Sequence, residues 1–347
     1  MSQPPTKPTD ISAIVSWLKL IRVPNLATAI ADPLAGFLIV GGFYQYENLP
    51  LGGWLAIASS LCLYAGGMVQ NDVVDLQIDQ TERPHRPLPS KQVSFELAQF
   101  VSIGLLLFGV VLACVASVSM RDGAPAVIGV MLTAAICGYN CYAKGTWLGP
   151  LFMGGCRALN WSLGMVIAGS ASFPLWMIPC GMGVYVMGIT LFARDEAGAG
   201  KRYQLLVGAI VMSAGLVFAG LAPLVSIEVN SVNVPNWLIG GRLIAWLALW
   251  GVLVVSILIR CGQAIISPVP QRMQAAVGNA IMSIITLDAV LVLAFCGEQW
   301  AVTVLALLVW FVLGRPNLSN NSSARTTVSI NIPGSGSKPS TTPQRLA

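Results

Sequence analysis

Apolar stretches of roughly membrane-spanning length recur along the chain, at about residues 14–42, 52–71, 95–119, 124–143, 148–170, 173–193, 204–227, 237–260, 275–296 and 299–314. A helix needs ~20 mostly apolar residues to cross the hydrocarbon core. The last run is short, so the pattern predicts nine or ten spans. The polar connections differ in charge from one to the next. With loops assigned alternately, one side receives Lys7, Lys19, Arg22, Arg83, Arg86, Lys91, Lys144, Arg194, Lys201, Arg202, Arg260, Arg272 and the tail. The other receives Arg121 and Arg242, with Glu47, Glu228 and Glu298. Positive loops face the cytoplasm. Ten spans would put both ends there. The expectation is an all-α, polytopic membrane helical bundle over residues 14–314, preceded by a cytoplasmic N-terminal segment, 1–13. Residues 315–347 are rich in Ser, Thr, Asn, Pro and Gly. Such a tail cannot build a core and is expected to be disordered in the cytoplasm.

Composition agrees with the pattern. Of 347 residues, 55% are hydrophobic and 10% charged, against ~25% charged in soluble domains. The net charge of +5 reflects basic membrane-flanking loops rather than nucleic-acid binding. Eight cysteines are scattered through apolar segments without a Cys-x-x-Cys pair, which reads as small buried residues. His85 is the only histidine, so a multi-histidine metal centre is excluded.

Against this background one polar stretch stands out, Asn71-Asp72-Val73-Val74-Asp75-Leu76-Gln77-Ile78-Asp79. Asp72, Asp75 and Asp79 are spaced i, i+3, i+7, which puts them within a ~60° arc of one helix face. Three like charges on one face repel and call for a counter-charge. Mg²⁺ is one such partner, since it prefers oxygen ligands and is usually held by one or two carboxylates plus substrate phosphates. The alternative is a helix end with a solvated acidic face. The loop that follows carries Arg83, Arg86 and Lys91 and is stiffened by Pro84, Pro87 and Pro89. Arginine forks suit phosphate oxygens, although positive-inside anchoring would also explain two or three basic residues.

A second polar stretch closes the sixth apolar run, Arg194-Asp195-Glu196, followed by Gly198, Gly200, Lys201 and Arg202. It falls on the side of the aspartate triad, where a second carboxylate set could hold a second Mg²⁺ on one diphosphate. An ordinary charged loop is the other reading. Between the two stretches lie Tyr139-Asn140-Cys141-Tyr142-Ala143-Lys144, then Arg157 and Asn160 well inside an apolar run. A charge at that depth costs at least ~2.5–3.5 kcal/mol and should face a partner or a polar cavity. Asp32 and Asp288, also within spans, are as plausible as simple partners of Arg157 as they are as substrate contacts.

These residues carry a resemblance. Asn71-Asp72-x-x-Asp75-x-x-x-Asp79 followed by Arg86-Pro87-Leu88 resembles the first signature of the UbiA superfamily of intramembrane prenyltransferases. Arg22-Val23-Pro24-Asn25 is similar to the family's opening segment, Tyr139–Lys144 to its Tyr/Lys stretch, and Arg194-Asp195 falls where its second Asp-rich motif stands. Leu148-Gly149-Pro150, Met153-Gly154 and Cys156-Arg157-x-Leu159-Asn160 resemble the EboC-like branch. The second motif departs from the usual Asp-x-x-x-Asp, with Glu196 next to Asp195 and Ala199 at the second Asp position. Lys144 stands one residue further from Tyr139 than in the commonest form.

The resemblance implies nine or ten transmembrane helices around a central cavity that opens sideways to lipid. It implies a prenyl diphosphate and a lipophilic acceptor, aromatic or otherwise, as partners within the bilayer. Asp72, Asp75 and Asp79, with Asn71, would bind Mg²⁺ on the diphosphate, and Asp195 with Glu196 a second ion. Arg83, Arg86, Lys144, Arg194 and Lys201 would neutralise the leaving group, with Arg157 and Asn160 as further substrate contacts. Tyr139 and Tyr142 would stabilise the allylic cation through their π faces, or anchor the interface as span-end tyrosines do. Two other readings stand beside this one: a non-catalytic carrier of a prenyl diphosphate or product, and a secondary transporter built on Asp32, Arg157 and Asp288.

Overall fold

The structure is a computed structural model that describes residues 10–43, 48–194, 202–229 and 232–313, and every regular element among them is helical. Among the described residues nine helices are long and apolar enough to cross a membrane. The chain begins with α1 (Asp10–Leu20) and a short 3-10 turn (Val23–Asn25), which lead into α2 (Leu26–Gly41). Next come α3 (Leu51–Val74), the short α4 (Leu76–Glu82), α5 (Phe95–Met120) and α6 (Ala124–Gly138). A π-helical turn (Tyr139–Ala143) joins α6 to α7 (Gly149–Ala168), followed by α8 (Met177–Ala193) and α9 (Arg202–Glu228). The short α10 (Asn236–Ile239) precedes α11 (Leu243–Ile266), α12 (Pro270–Cys296) and α13 (Glu298–Leu313). The tenth expected run is α13, apolar but only 16 residues long. At 1.5 Å per residue it reaches ~24 Å, short of the ~30 Å hydrocarbon core.

Glycine sets the tightest crossings. A Cβ on Gly164 would lie 2.0 Å from the Pro33 carbonyl oxygen, and one on Gly36 would lie 2.6 Å from that of Trp161. Thus α2 and α7 touch backbone to backbone, the approach that small residues permit between membrane helices. That crossing brings Asp32 on α2 beside Arg157 on α7. Helices α8 and α9 meet in the same manner, where Cβ atoms on Gly188 and Gly215 would come within 2.4 Å of the Met212 and Tyr185 amide nitrogens.

Alternation of the spans gathers the basic connections at one end. Arg202, opening α9, donates to the carbonyl of Ile266, closing α11, at 3.3 Å. At the same end a small apolar cluster of Leu20, Val69, Leu88, Val93 and Ala98 pins α1, the 83–94 loop and α5 against the end of α3. This cluster fixes Arg86 and its neighbours over the aspartates. The segments 1–9, 195–201 and 314–347 lie outside the described residues, and with them Asp195, Glu196, Lys201, the tail and most of the N-terminal segment.

Candidate active site

Helix α3 runs on past its apolar stretch, so its last turn carries Asn71 and Asp72 to the rim. The helix yields for one residue at Asp75 and resumes as α4. Its hydrogen bonding hardly changes there: Asp75 N donates to Asn71 O at 3.0 Å and Asp79 N to Asp75 O at 2.9 Å. The three carboxylates therefore keep the common face that their spacing predicts.

Each carboxylate is held by cations. Asp72 Oδ1 accepts from Arg22 Nη2 at 3.3 Å and from Arg86 Nη1 at 3.5 Å. Asp79 Oδ2 accepts from the same Arg86 Nη1 at 2.6 Å, and Arg83 stands 3.8 Å from Asp79 Oδ1. Asp75 Oδ2 pairs with Lys144 Nζ, which also donates to Asn71 Oδ1 at 2.8 Å. Asn71 Nδ2 bridges Asp72 and Asp75 at 3.3 Å each. Four cationic side chains thus face three carboxylates, and the excess positive charge favours an anion at this mouth. Asp79 is 2% exposed and Asp72 6%, so both are nearly closed from solvent, Asp79 beneath Arg86.

Among the described residues no three metal-type side chains converge on one point. The donors present are hard carboxylate and amide oxygens. That set fits Mg²⁺ held by one or two carboxylates together with phosphate oxygens, not by a closed protein cage.

Below the rim lies a cavity of about 140 Å³. Its lining interleaves apolar residues, Leu63, Leu132, Ile136, Met153 and Val186, with polar and aromatic ones, Asp32, Ser60, Tyr64, Tyr139, Asn140, Arg157 and Asn160. Arg157 Nη1 pairs with Asp32 Oδ2 and donates to the Thr28 carbonyl at 3.1 Å. Asn160 Nδ2 donates to Asp32 Oδ2 at 2.9 Å, and Ser60 Oγ donates to Asn160 Oδ1 at 2.6 Å. A group at this depth must find its partners within the protein, and Asp32 is the one Arg157 takes.

The predicted residues therefore separate into two tiers. Asn71, Asp72, Asp75, Asp79, Arg83, Arg86 and Lys144 meet at the rim, while Tyr139, Arg157 and Asn160 line the cavity beneath. Arg194 caps α8 and is exposed. Tyr142, read above as a second aromatic for the cation, is 83% exposed and lines no part of the cavity, because the π-turn points it outward. Three contributors went unassigned in the sequence reading. Arg22 reaches Asp72 from a left-handed backbone at φ 53°. Tyr64 gives the cavity an aromatic side chain on α3. Asn140 ties the π-turn to α3, donating to Gly67 O at 3.0 Å and Gln70 Oε1 at 2.9 Å. The Arg-Val-Pro-Asn run and the Tyr139–Lys144 stretch offered signals for Arg22 and Asn140, and nothing did for Tyr64.

Comparison with known proteins bears on the fold and the family. Digeranylgeranylglyceryl phosphate synthase of Saccharolobus solfataricus is 36% identical over 102 residues, 29% of this chain and 35% of that protein. The chain therefore spans about a third of the length of that relative, and the same holds for the enzyme so named from Sulfurisphaera tokodaii, at 35%. The synthase of Ignicoccus hospitalis matches more broadly, at 25% identity over 266 residues, 71% of this chain and 81% of that one. A solved structure described for digeranylgeranylglyceryl phosphate synthase in membranes superimposes with a TM-score of 0.60 at 19% identity, covering 82% of this chain and 99% of its own. A UbiA homolog from Archaeoglobus fulgidus, bound to GPP and Mg²⁺, gives 0.52 at 14% identity, over 78% and 99%. These two likenesses establish the fold. The model described as the UbiA prenyltransferase family matches residues 34–276, most of the chain, so this multi-pass membrane protein belongs to the UbiA prenyltransferase family.

Proposed function

We propose that the chain is a Mg²⁺-dependent intramembrane prenyltransferase, moving a prenyl group from a prenyl diphosphate to a lipophilic acceptor. The observation that carries this reading is the rim, where three carboxylates and four cations crown a largely apolar cavity within the spans. A prenyl diphosphate has the same division, an anionic head and an apolar tail. The names of the relatives and the GPP and Mg²⁺ bound to one structural neighbour support the choice.

Asp72 and Asp75, with Asn71, would hold Mg²⁺, which when bound supplies Lewis-acid relief of charge on the departing diphosphate. Asp195 and Glu196 are the candidates for a second ion. Arg22, Arg86 and Lys144 release carboxylate contacts as the anion arrives and turn to phosphate oxygens, where guanidinium forks bind best. Once the carbon–oxygen bond breaks, the Tyr139 and Tyr64 rings face the allylic cation from the cavity wall. The acceptor's nucleophilic atom then forms the new bond to the allylic carbon and gives up its proton to the released diphosphate. The basic rim lies on the cytoplasmic side by the positive-inside bias, with residues 14–314 as the catalytic domain.

Purified protein in lipid nanodiscs, given a panel of allylic prenyl diphosphates, tests the proposal. Mg²⁺-dependent binding with diphosphate release, both lost in Asp75→Asn, is the expected result. Binding without release under every acceptor supplied would make the chain a carrier, and absence of Mg²⁺-dependent binding would sink the reading.

A further inference from the structure

The polar wall of the cavity has hydrogen-bonding capacity that the protein does not use. Arg157 carries five N–H donors, and its contacts to Asp32 and to Thr28 O both come from Nη1. Among the described residues no partner meets Nε or Nη2. The side chain is 13% exposed, and that exposure opens into the cavity it lines. Unmet donors of an intramembrane guanidinium are costly where no water competes. At 1.5 Å per residue Ser60 lies about 16 Å below Asn71 along α3. The polar lining lies below the rim, so an acceptor held there must extend up toward the allylic carbon beside the diphosphate.

Charge narrows what can sit there. The guanidinium is already balanced by Asp32, and a second fully buried carboxyl, Asp288, faces the same pair. An incoming anion would find no free cation and two carboxyls nearby, while an ionised group moved into low dielectric needs its own counter-charge. A neutral oxygen needs only a donor. The rest of the lining, with Leu63, Leu132, Ile136 and Met153, demands an apolar body.

Resting on the proposed transferase reading, we infer that the Arg157 wall is the acceptor subsite and that it takes a neutral, oxygen-bearing apolar nucleophile, a phenol or quinol rather than a carboxylate, through Arg157 Nε and Nη2; a quinone of the same shape binds there as an unreactive analogue.

Three probes of nearly one shape test it by equilibrium binding to the full chain in nanodiscs: duroquinone, the hydrocarbon durene, and tetramethylbenzoate. Duroquinone should bind at least tenfold more tightly than the other two. Arg157→Lys keeps the charge against Asp32 but removes the planar fork, and should reduce duroquinone affinity about tenfold. The paired variant Arg157→Gln with Asp32→Asn, which removes both charges together, should do the same if the lysine variant fails to insert. Durene binding as well as duroquinone, tetramethylbenzoate binding best, no duroquinone binding at all, or unchanged affinity in the variants would each overturn the inference. Mg²⁺-dependent binding of geranyl thiodiphosphate, followed on the same samples, reports on the transferase reading separately, because duroquinone binding requires no metal.

Discussion

Lys144 meets Asp75 across 69 residues of sequence, and it does so from the end of a π-turn. Lys144 N donates to Tyr139 O at 3.0 Å, an i→i−5 bond where an α-helix would make i→i−4. The turn takes up one residue more than an α-turn would, and such π-bulges are often found near functional sites. The ammonium then reaches Asn71 and Asp75 together.

Removing that ammonium should be costly. Loss of a charge-assisted hydrogen bond is worth ~1.5–3 kcal/mol, so Lys144→Met should weaken prenyl-diphosphate binding roughly ten- to a hundredfold. Deleting Cys141, which is exposed, should instead convert the π-turn to an α-turn with Lys144 still in reach, and turnover should stay within about threefold of wild type. Isothermal titration and diphosphate release on both variants check the pair. Loss of turnover on deleting Cys141 would show that the π-turn does more than take up a residue.

The three aspartates should not behave alike. Asp72→Asn or Asp75→Asn should abolish Mg²⁺-dependent diphosphate release and leave the protein inserted. Asp79 is nearly closed from solvent and sits 2.6 Å from Arg86. Asp79→Asn should therefore cost stability first, about 2 kcal/mol once partial exposure of Arg86 is allowed for. Thermal unfolding in nanodiscs, compared across the three variants, separates the roles.

Arg157 and Asp32 should be interdependent. Removing one member of a buried pair strands the other charge and typically costs ~3–5 kcal/mol, whereas replacing both with apolar groups is often nearly neutral. Arg157→Leu and Asp32→Leu should each insert poorly, and the double variant should recover. A double-mutant cycle on folded yield reads the coupling. Additive losses would mean that the pair contributes little to assembly.

The α2–α7 crossing makes its own prediction. Gly164→Ala would drive a Cβ to 2.0 Å from the backbone oxygen of Pro33, which has no flexible end to yield. Gly155→Ala, on the same helix with open space around it, should be silent. Folded yield of the two variants, measured side by side, tests whether that contact holds the helices in register.

The chain declared its spans and its aspartate rim through local patterns. Hydropathy needs a window of about 20 residues, and the i, i+3, i+7 spacing needs less than three turns. Pairing needed more. Arg157 was legible as a buried charge in want of a partner, yet Asp32 and Asp288 competed for it until the glycines at 36 and 164 set the crossing. Tyr64 hid in an apolar run, where an aromatic side chain is unremarkable until its helix face is known. Arg22 was masked by the positive-inside bias, which accounts for any basic residue at a span end. Tyr142 was left between a cation-facing ring and an interfacial anchor, and its exposure favours the anchor, because a π-turn changes which side chains face inward and composition does not announce such a turn.

The separation between Asp32 and Arg157 also bears on how the protein is made. The two are 125 residues apart in the chain. At ~5–20 residues per second of synthesis, α2 precedes its guanidinium partner by roughly 6–25 s. Over that interval an ionised Asp32 at mid-bilayer would cost at least ~2.5–3.5 kcal/mol. The first span must wait beside the insertion machinery until α7 arrives, so the ribosome's pace sets when the bundle can close.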